Sequence, residues 1–207
     1  MKTNDTKIND AVRDHEISTE WVYQQLAGEL HRWFDIFNGD LFEDTLLTPF
    51  LQFARTRRSN LGHYRPGHNG VGARHEINMN KLHMHDRPFS EMLGTLLHEM
   101  VHEWQELFGQ PGKGGYHNKQ FAAKCAALGI PCTGGYRSYS TGYTDPFIAL
   151  LQRHGVDMEM RLPLTALPEK NGGSKLKKWS CGCTNIRVAV EVQALCLKCG
   201  GFFQRAD

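Results

Sequence analysis

Residues 96–117 read "LLHEMVHEWQELFGQPGKGGYH". Apolar residues recur through "SEMLGTLLHEMVHEWQELF" at helical spacing, Ser90 is placed to cap the run, and Gly109 with Pro111 just beyond stops it. On a helix, residues four apart lie one above the other, so His98 and His102 can both point an imidazole at one ion. Glu99 then sits beside that ion rather than on it, placed to take a proton from a water that the metal acidifies. His-Glu-x-x-His on a helix is the pattern of a zinc peptidase, although five residues alone also arise by chance.

A catalytic zinc keeps three protein ligands and one open position, so a third ligand is needed downstream. A metzincin-type extension would need Gly at 105 and His at 108, where the chain has Gln105 and Phe108. A thermolysin-like Glu fails as well, because no Glu occurs between Glu106 and Glu159. His117 is the candidate, following "GQPGKGGY", a loop with enough glycine to reverse the chain into a helix that opens near Asn118 in "NKQFAAKCAALGIP". Cys125 and Cys132 are weaker rivals, since a cysteine on an alanine-rich helix is more often a small buried hydrophobe. Tyr116 is a candidate to polarise the scissile carbonyl or stabilise its oxyanion, set against the ordinary structural role of a loop tyrosine. His83 and His85 have nothing nearby to complete a site, and Trp104, Leu107 and Phe108 read as core packing.

Near the end, "CGCTNIRVAVEVQALCLKC" sets Cys181 and Cys183 one residue apart, then twelve residues, then Cys196 and Cys199 two apart. Two tight thiolate pairs joined by an arm of hairpin length are what a closed, structural tetrahedral zinc requires. Around them Lys175, Lys177, Lys178, Arg187 and Lys198, with Trp179 as an aromatic that could stack on an unpaired base, are candidates for nucleic-acid contact. The alternative is a solubilising surface. Residues 169–207 carry seven Lys/Arg against three Asp/Glu, so a basic end follows a slightly acidic body within a net charge of only +2.

Hydrophobic content of 40% and charged content of 22% are ordinary for a soluble globular protein. No segment approaches the roughly 18 apolar residues of a membrane span, and the polar start "MKTNDTKINDAVRDHE" has no signal-peptide core. The expected location is cytoplasmic, associated with the nucleoid if the source is bacterial, where clustered cysteines stay reduced and bind metal. Residues 1–17 form a polar leader; Ser18 or Thr19 then caps a helix carrying Trp21, Val22, Leu26, Leu30, Trp33, Phe34 and Phe37, which Asn38 and Gly39 end. Between Thr48 and Asn80 the runs "PFLQFART", "LGHYRP" and "ARHEINMN" read as a small antiparallel sheet, and "HEINMN" is expected beside the cleft as an edge for an extended substrate. "DPFIALLQRHG" has helical character, and "PEKNGGSKLKK" has linker composition.

With "FNGDLF", "HEINMN", "LLHEMVHEWQ", the glycine loop leading to "HNKQF" and the terminal C-x-C, C-x-x-C pattern in hand, the chain resembles the SprT-like family of zinc metalloproteases. The resemblance covers residues 21–135 and 178–203 and implies a Spartan-like protease core followed by a zinc ribbon. It also implies zinc on His98, His102 and His117, Glu99 as general base, and a protease acting on proteins bound or crosslinked to DNA. The expectation is therefore an α+β chain. A minimal zincin domain at 18–167 has helices packed on a small antiparallel sheet; a linker at 168–177 leads to a β zinc ribbon at 178–207. Two Zn2+ sites, one catalytic and one structural, a protein substrate and DNA with single-stranded or unpaired regions are implied, with no membrane and no small-molecule organic cofactor. The rival reading is a DNA-binding or transcription-associated zinc protein whose zincin domain is inactive.

Overall fold

The computed structural model describes residues 4–67, 75–135, 142–162 and 176–206, with side chains from residue 7. The chain divides into two compact units, Met1–Ala166 and Leu167–Asp207. Both mix helices or turns with small sheets, giving an α+β chain.

The first unit is organised by α3 (Phe89–Phe108), a helix of 20 residues. Leu93, Leu96, Leu97, Met100 and Val101 repeat at three- and four-residue intervals and are fully buried, forming the stripe that packs on the rest of the core. Facing them are Leu26, Leu30, Trp33, Phe34 and Phe37 of α2 (Gln24–Phe42), with Phe121 of α4 (Lys119–Ala127) and Phe147 and Leu151 of α5 (Phe147–Arg153). The stripe that remains on α3, with Thr95, His98, Glu99, His102 and Glu106, lines a cleft. Ser90 is not the cap of α3: Pro88 takes that place, and the Ser90 hydroxyl donates to the Met158 carbonyl at 2.5 Å, tying α3 to the segment after α5.

The sheet corrects one expectation. Strands β1 (Phe50–Gln52), β2 (Gly62–Arg65) and β3 (Glu76–Met79) lie in the order β1-β3-β2, with β1 parallel and β2 antiparallel to β3. The sheet is therefore mixed rather than antiparallel, because the chain leaves β1 on one side of β3 and returns on the other. Short runs separated by turn residues mark strands but carry nothing about which strand lies between the others. "HEINMN" is consequently the buried central strand and not the edge beside the cleft; that edge is β2. Asparagine side chains hold the crossover in place. Asn78 Oδ1 accepts from Ala54 N–H at 2.8 Å, and buried Asn80 accepts from Thr56 and Leu82 while donating to the carbonyls of Arg57 and Asn60.

Two further corrections concern the N-terminal region. The expected leader is a helix, α1 (Asn4–Ser18). It is attached largely by polar contacts: buried Asn9 donates to the Thr48 carbonyl at 2.9 Å, Arg13 pairs with Asp35, and Glu16 pairs with His31 at 3.1 Å. A hydrophobic pattern does not reveal such a helix, because its partners are distant in the chain. Helix α2 starts at Gln24 rather than at Ser18 or Thr19 and runs through Asn38 and Gly39 to Phe42. Asn38 does not break it because its amide bonds both the N–H and the C=O of Leu46, at 3.0 and 3.1 Å; Glu43, in the left-handed region, supplies the end.

The second unit holds β4 (Lys177–Ser180), β5 (Asn185–Val188) and β6 (Gln204–Arg205) in the antiparallel order β5-β4-β6. The expected linker reaches into β4 at Lys177; its residues up to 175, Lys175 among them, lie outside the described residues. Among the described residues of this unit, Trp179 and Cys196 are the buried apolar side chains.

Candidate active site

His98 and His102 project from α3 into the cleft, and His117 meets them from the other side of a glycine turn. In that turn Gly114 and Gly115 have φ of 63° and 79°, and a Cβ at Gly112 would fall 2.1 Å from the Tyr116 carbonyl oxygen, so the tight return needs glycine. His117 is then pinned twice. Its backbone exchanges hydrogen bonds with Gly135, at 3.0 and 3.1 Å, and Asn118 beside it caps α4 by accepting from Phe121 N–H at 3.0 Å. Buried Gln105 of α3 donates to Asn118 Oδ1 and to Gln120 Oε1, at 2.9 and 3.0 Å, and Gln120 Oε1 also accepts from Gln110 N–H. Two helices and the loop between them are thereby locked in one arrangement. Of these, only the Asn118 cap has a local sequence signature.

The ring nitrogens of His98, His102 and His117 lie within 4.8 Å of one another, and the Nε2 atoms of His102 and His117 are 3.0 Å apart. Phe121, fully buried, underlies all three rings, with centroids 4.2 to 5.0 Å away. Burial, and then the neighbouring His117, pull His98 down to about 3; burial, with His98 and His117, pulls His102 down to about 2; burial alone lowers His117. The three rings are thus neutral, the form that ligates a metal, and three converging imidazole nitrogens fit a zinc ion. Cys125 and Cys132 also come within 4.8 Å of His98, so the rivals are in the neighbourhood of the trio.

Glu99 is buried against β2. Desolvation pushes its carboxyl up to about 8, opposed by a hydrogen bond that the Tyr64 N–H donates to it. Because Leu61 accepts from Asn80 N–H at 3.0 Å, alternation along β2 turns the backbone groups of Gly62 and Tyr64 away from β3. Gly62 leaves room for the carboxylate: a Cβ there would lie 3.0 Å from Glu99 Oε1, Thr95 Cγ2 and the Asn78 carbonyl. Gly62 and Tyr64 are positioning groups that hydrophobic pattern could not reveal. Gly62→Ala is therefore expected to keep the fold and the metal and to lower kcat roughly ten- to a hundredfold by shifting Glu99; steady-state rates beside zinc content and Tm check it. Glu103, one residue past His102, is also fully buried, but its carboxyl accepts from Leu47 N–H at 3.0 Å, anchoring the chain before β1.

The cleft has a volume of 1020 Å³ and is further lined by Arg87, Tyr116 and Tyr143. Tyr116, 42% exposed, stands at its margin beside His117.

In the second unit the four sulfurs of Cys181, Cys183, Cys196 and Cys199 lie within 4.8 Å of one another, consistent with a zinc site. The turns that bring them together are closed by Cys181 N–H to the Thr184 carbonyl at 3.2 Å and Cys196 N–H to the Gly201 carbonyl at 2.9 Å. Trp179 requires a correction: at 7% exposure it forms the interior of the small sheet and presents no face for stacking. The exposed aromatic is Phe202, at 69%. Lys177 is paired with Glu191 at 3.0 Å, whereas Lys178 and Arg187 are exposed and directly opposite each other on β4 and β5; Lys198 is also exposed.

These features define a mixed α+β domain with a histidine trio that could hold a metal ion and an adjacent buried carboxyl group, followed by a separate four-cysteine unit. Residues 30–135, just over half of the chain, match the SprT-like family, and the chain belongs to it. Membership implies a metalloprotease-type function and a protein substrate. No curated protein and no solved structure matches the chain. No helix among the described residues is long and apolar enough to cross a membrane.

Proposed function

We propose that this chain is a zinc-dependent endopeptidase with a minimal zincin fold, acting on extended protein segments near nucleic acid. The observation that carries the reading is the convergence of three neutral imidazoles and one buried carboxyl group on a cleft walled by a sheet edge. Zinc on His98, His102 and His117 would supply Lewis acidity toward the peptide carbonyl and make water a stronger acid. Glu99, oriented by the Tyr64 N–H, takes the proton of the attacking water and returns it to the leaving amine. The outward-facing backbone of β2 at Gly62 gives an extended substrate a strand to pair with, so recognition rests on main chain and tolerates many sequences. Tyr116 at the cleft margin is the candidate partner for the carbonyl oxygen.

The four-cysteine unit is proposed as a zinc ribbon that contacts DNA. Its support is the Lys178 and Arg187 pair, two exposed cations facing each other across β4 and β5. Like charges in that position repel, and a phosphate backbone between them relieves the repulsion. With Trp179 buried, any stacking on an unpaired base falls to Phe202.

The experiment is a gel time course of a basic DNA-binding protein incubated with the zinc-loaded full chain, with and without single-stranded DNA, at low and high salt. Cleavage should appear and be accelerated by DNA at least about tenfold at low salt, the gain vanishing as salt rises. A protein that holds zinc and binds DNA but cuts nothing would instead be a binding protein with an inactive catalytic domain.

A further inference from the structure

Two thiols of the first unit play no part in the mechanism above, yet they lie beside one of its histidines. Cys125 of α4, Cys132 just beyond Pro131, and His98 have donor atoms within 4.8 Å of one another. Cys125 is fully buried, Cys132 is partly exposed, and the two thiols are hydrogen-bonded. Gly129, with φ of 81°, ends α4 and turns the chain so that Cys132 returns beside Cys125. The cleft lining includes His98 and Ile130, the neighbours of the pair in space and in sequence.

Two sulfurs and one nitrogen are a softer donor set than three imidazole nitrogens, and thiolates favour thiophilic ions such as Cd2+ or Cu+. We propose that Cys125, Cys132 and His98 form a further metal site in the first unit, selective for thiophilic ions, that competes with the histidine trio for His98. Binding replaces two S–H bonds by two sulfur–metal bonds, and two protons leave to solvent. An ion seated there withdraws His98 from His102 and His117, so soft metals act as inhibitors of this chain. The inhibitory half rests on the peptidase reading above, whereas the binding half stands independently of it.

The test is a Cd2+ titration of the zinc-loaded full chain followed by the ultraviolet thiolate-to-cadmium charge-transfer band, for wild type, Cys132→Ser and Cys125→Ala/Cys132→Ser. The ribbon cysteines contribute four thiolates in every sample, and the chain has six cysteines in all. The wild-type plateau should therefore exceed that of the double variant about one and a half times, with Cys132→Ser also below wild type. Should the buried Cys125 change prevent folding, Cys132→Ser alone decides. Equal plateaus would overturn the site and leave the two thiols as packing. Peptide cleavage in parallel should fail at lower Cd2+ in wild type than in Cys132→Ser; equal sensitivity would overturn the competition for His98. If no sample cleaves, the peptidase reading has failed while the absorbance still decides the binding.

Discussion

Cys196→Ser should unfold the second unit and leave the first intact. The unit has little else to hold it: among its described residues the buried apolar side chains are Trp179 and Cys196 itself, and its strands have four, four and two residues. Apolar burial on that scale does not offset the conformational entropy lost in ordering the chain. Binding of a structural zinc in small domains is worth about 10–16 kcal/mol, and losing one of four thiolates forfeits much of it. Zinc content should fall by one ion per chain, and the amide signals of residues 176–206 should collapse toward random-coil positions while those of α2 and α3 stay dispersed. Retained dispersion in β4 and β5 would mean that the unit folds on its own contacts.

The second large effect is expected at Glu99. Glu99→Gln keeps the shape of the side chain and an oxygen to accept from the Tyr64 N–H, and it leaves the trio untouched. On the proposed mechanism, what it removes is the site at which the water's proton is held. General-base assistance contributes roughly 10²–10⁴ in rate, so kcat should fall about a thousandfold, equivalent to about 4 kcal/mol of barrier. KM should change little, because the proposed substrate pairing along β2 does not use the Glu99 side chain. Loss of the base and loss of the metal are thereby separable, which a substitution at His98, His102 or His117 could not achieve.

Much of the site was legible because its spacing is local. The i, i+4 histidines follow from helix geometry, and the reversal that carries His117 back is written in glycines whose conformations other residues resist. The asparagine cap of α4 is likewise a short-range signal. What was not legible depends on residues far apart in the chain. The place of "HEINMN" at the centre of the sheet rests on pairings with residues 50–52 and 62–65, which alternation alone does not encode. Helix α1 rests on Asn9, Arg13 and Glu16 meeting partners on later elements. Trp179 looks like a stacking residue beside lysines, yet in a sheet this small the largest side chain is the one that fills the interior. The Gln105, Asn118 and Gln120 network and the fit of Gly62 against Glu99 are equally tertiary. They supply the precision with which the site is held rather than its chemistry.

The measurement that bears most directly on the central claim is made on one sample each of wild type and Glu99→Gln: zinc per chain by elemental analysis, then cleavage of an unfolded polypeptide by the same sample, with single-stranded DNA present. The account predicts equal zinc content in the two proteins, cleavage by wild type, and a loss of about three orders of magnitude in the variant. Equal zinc with equal cleavage, or zinc-loaded wild type that cuts nothing, would contradict it.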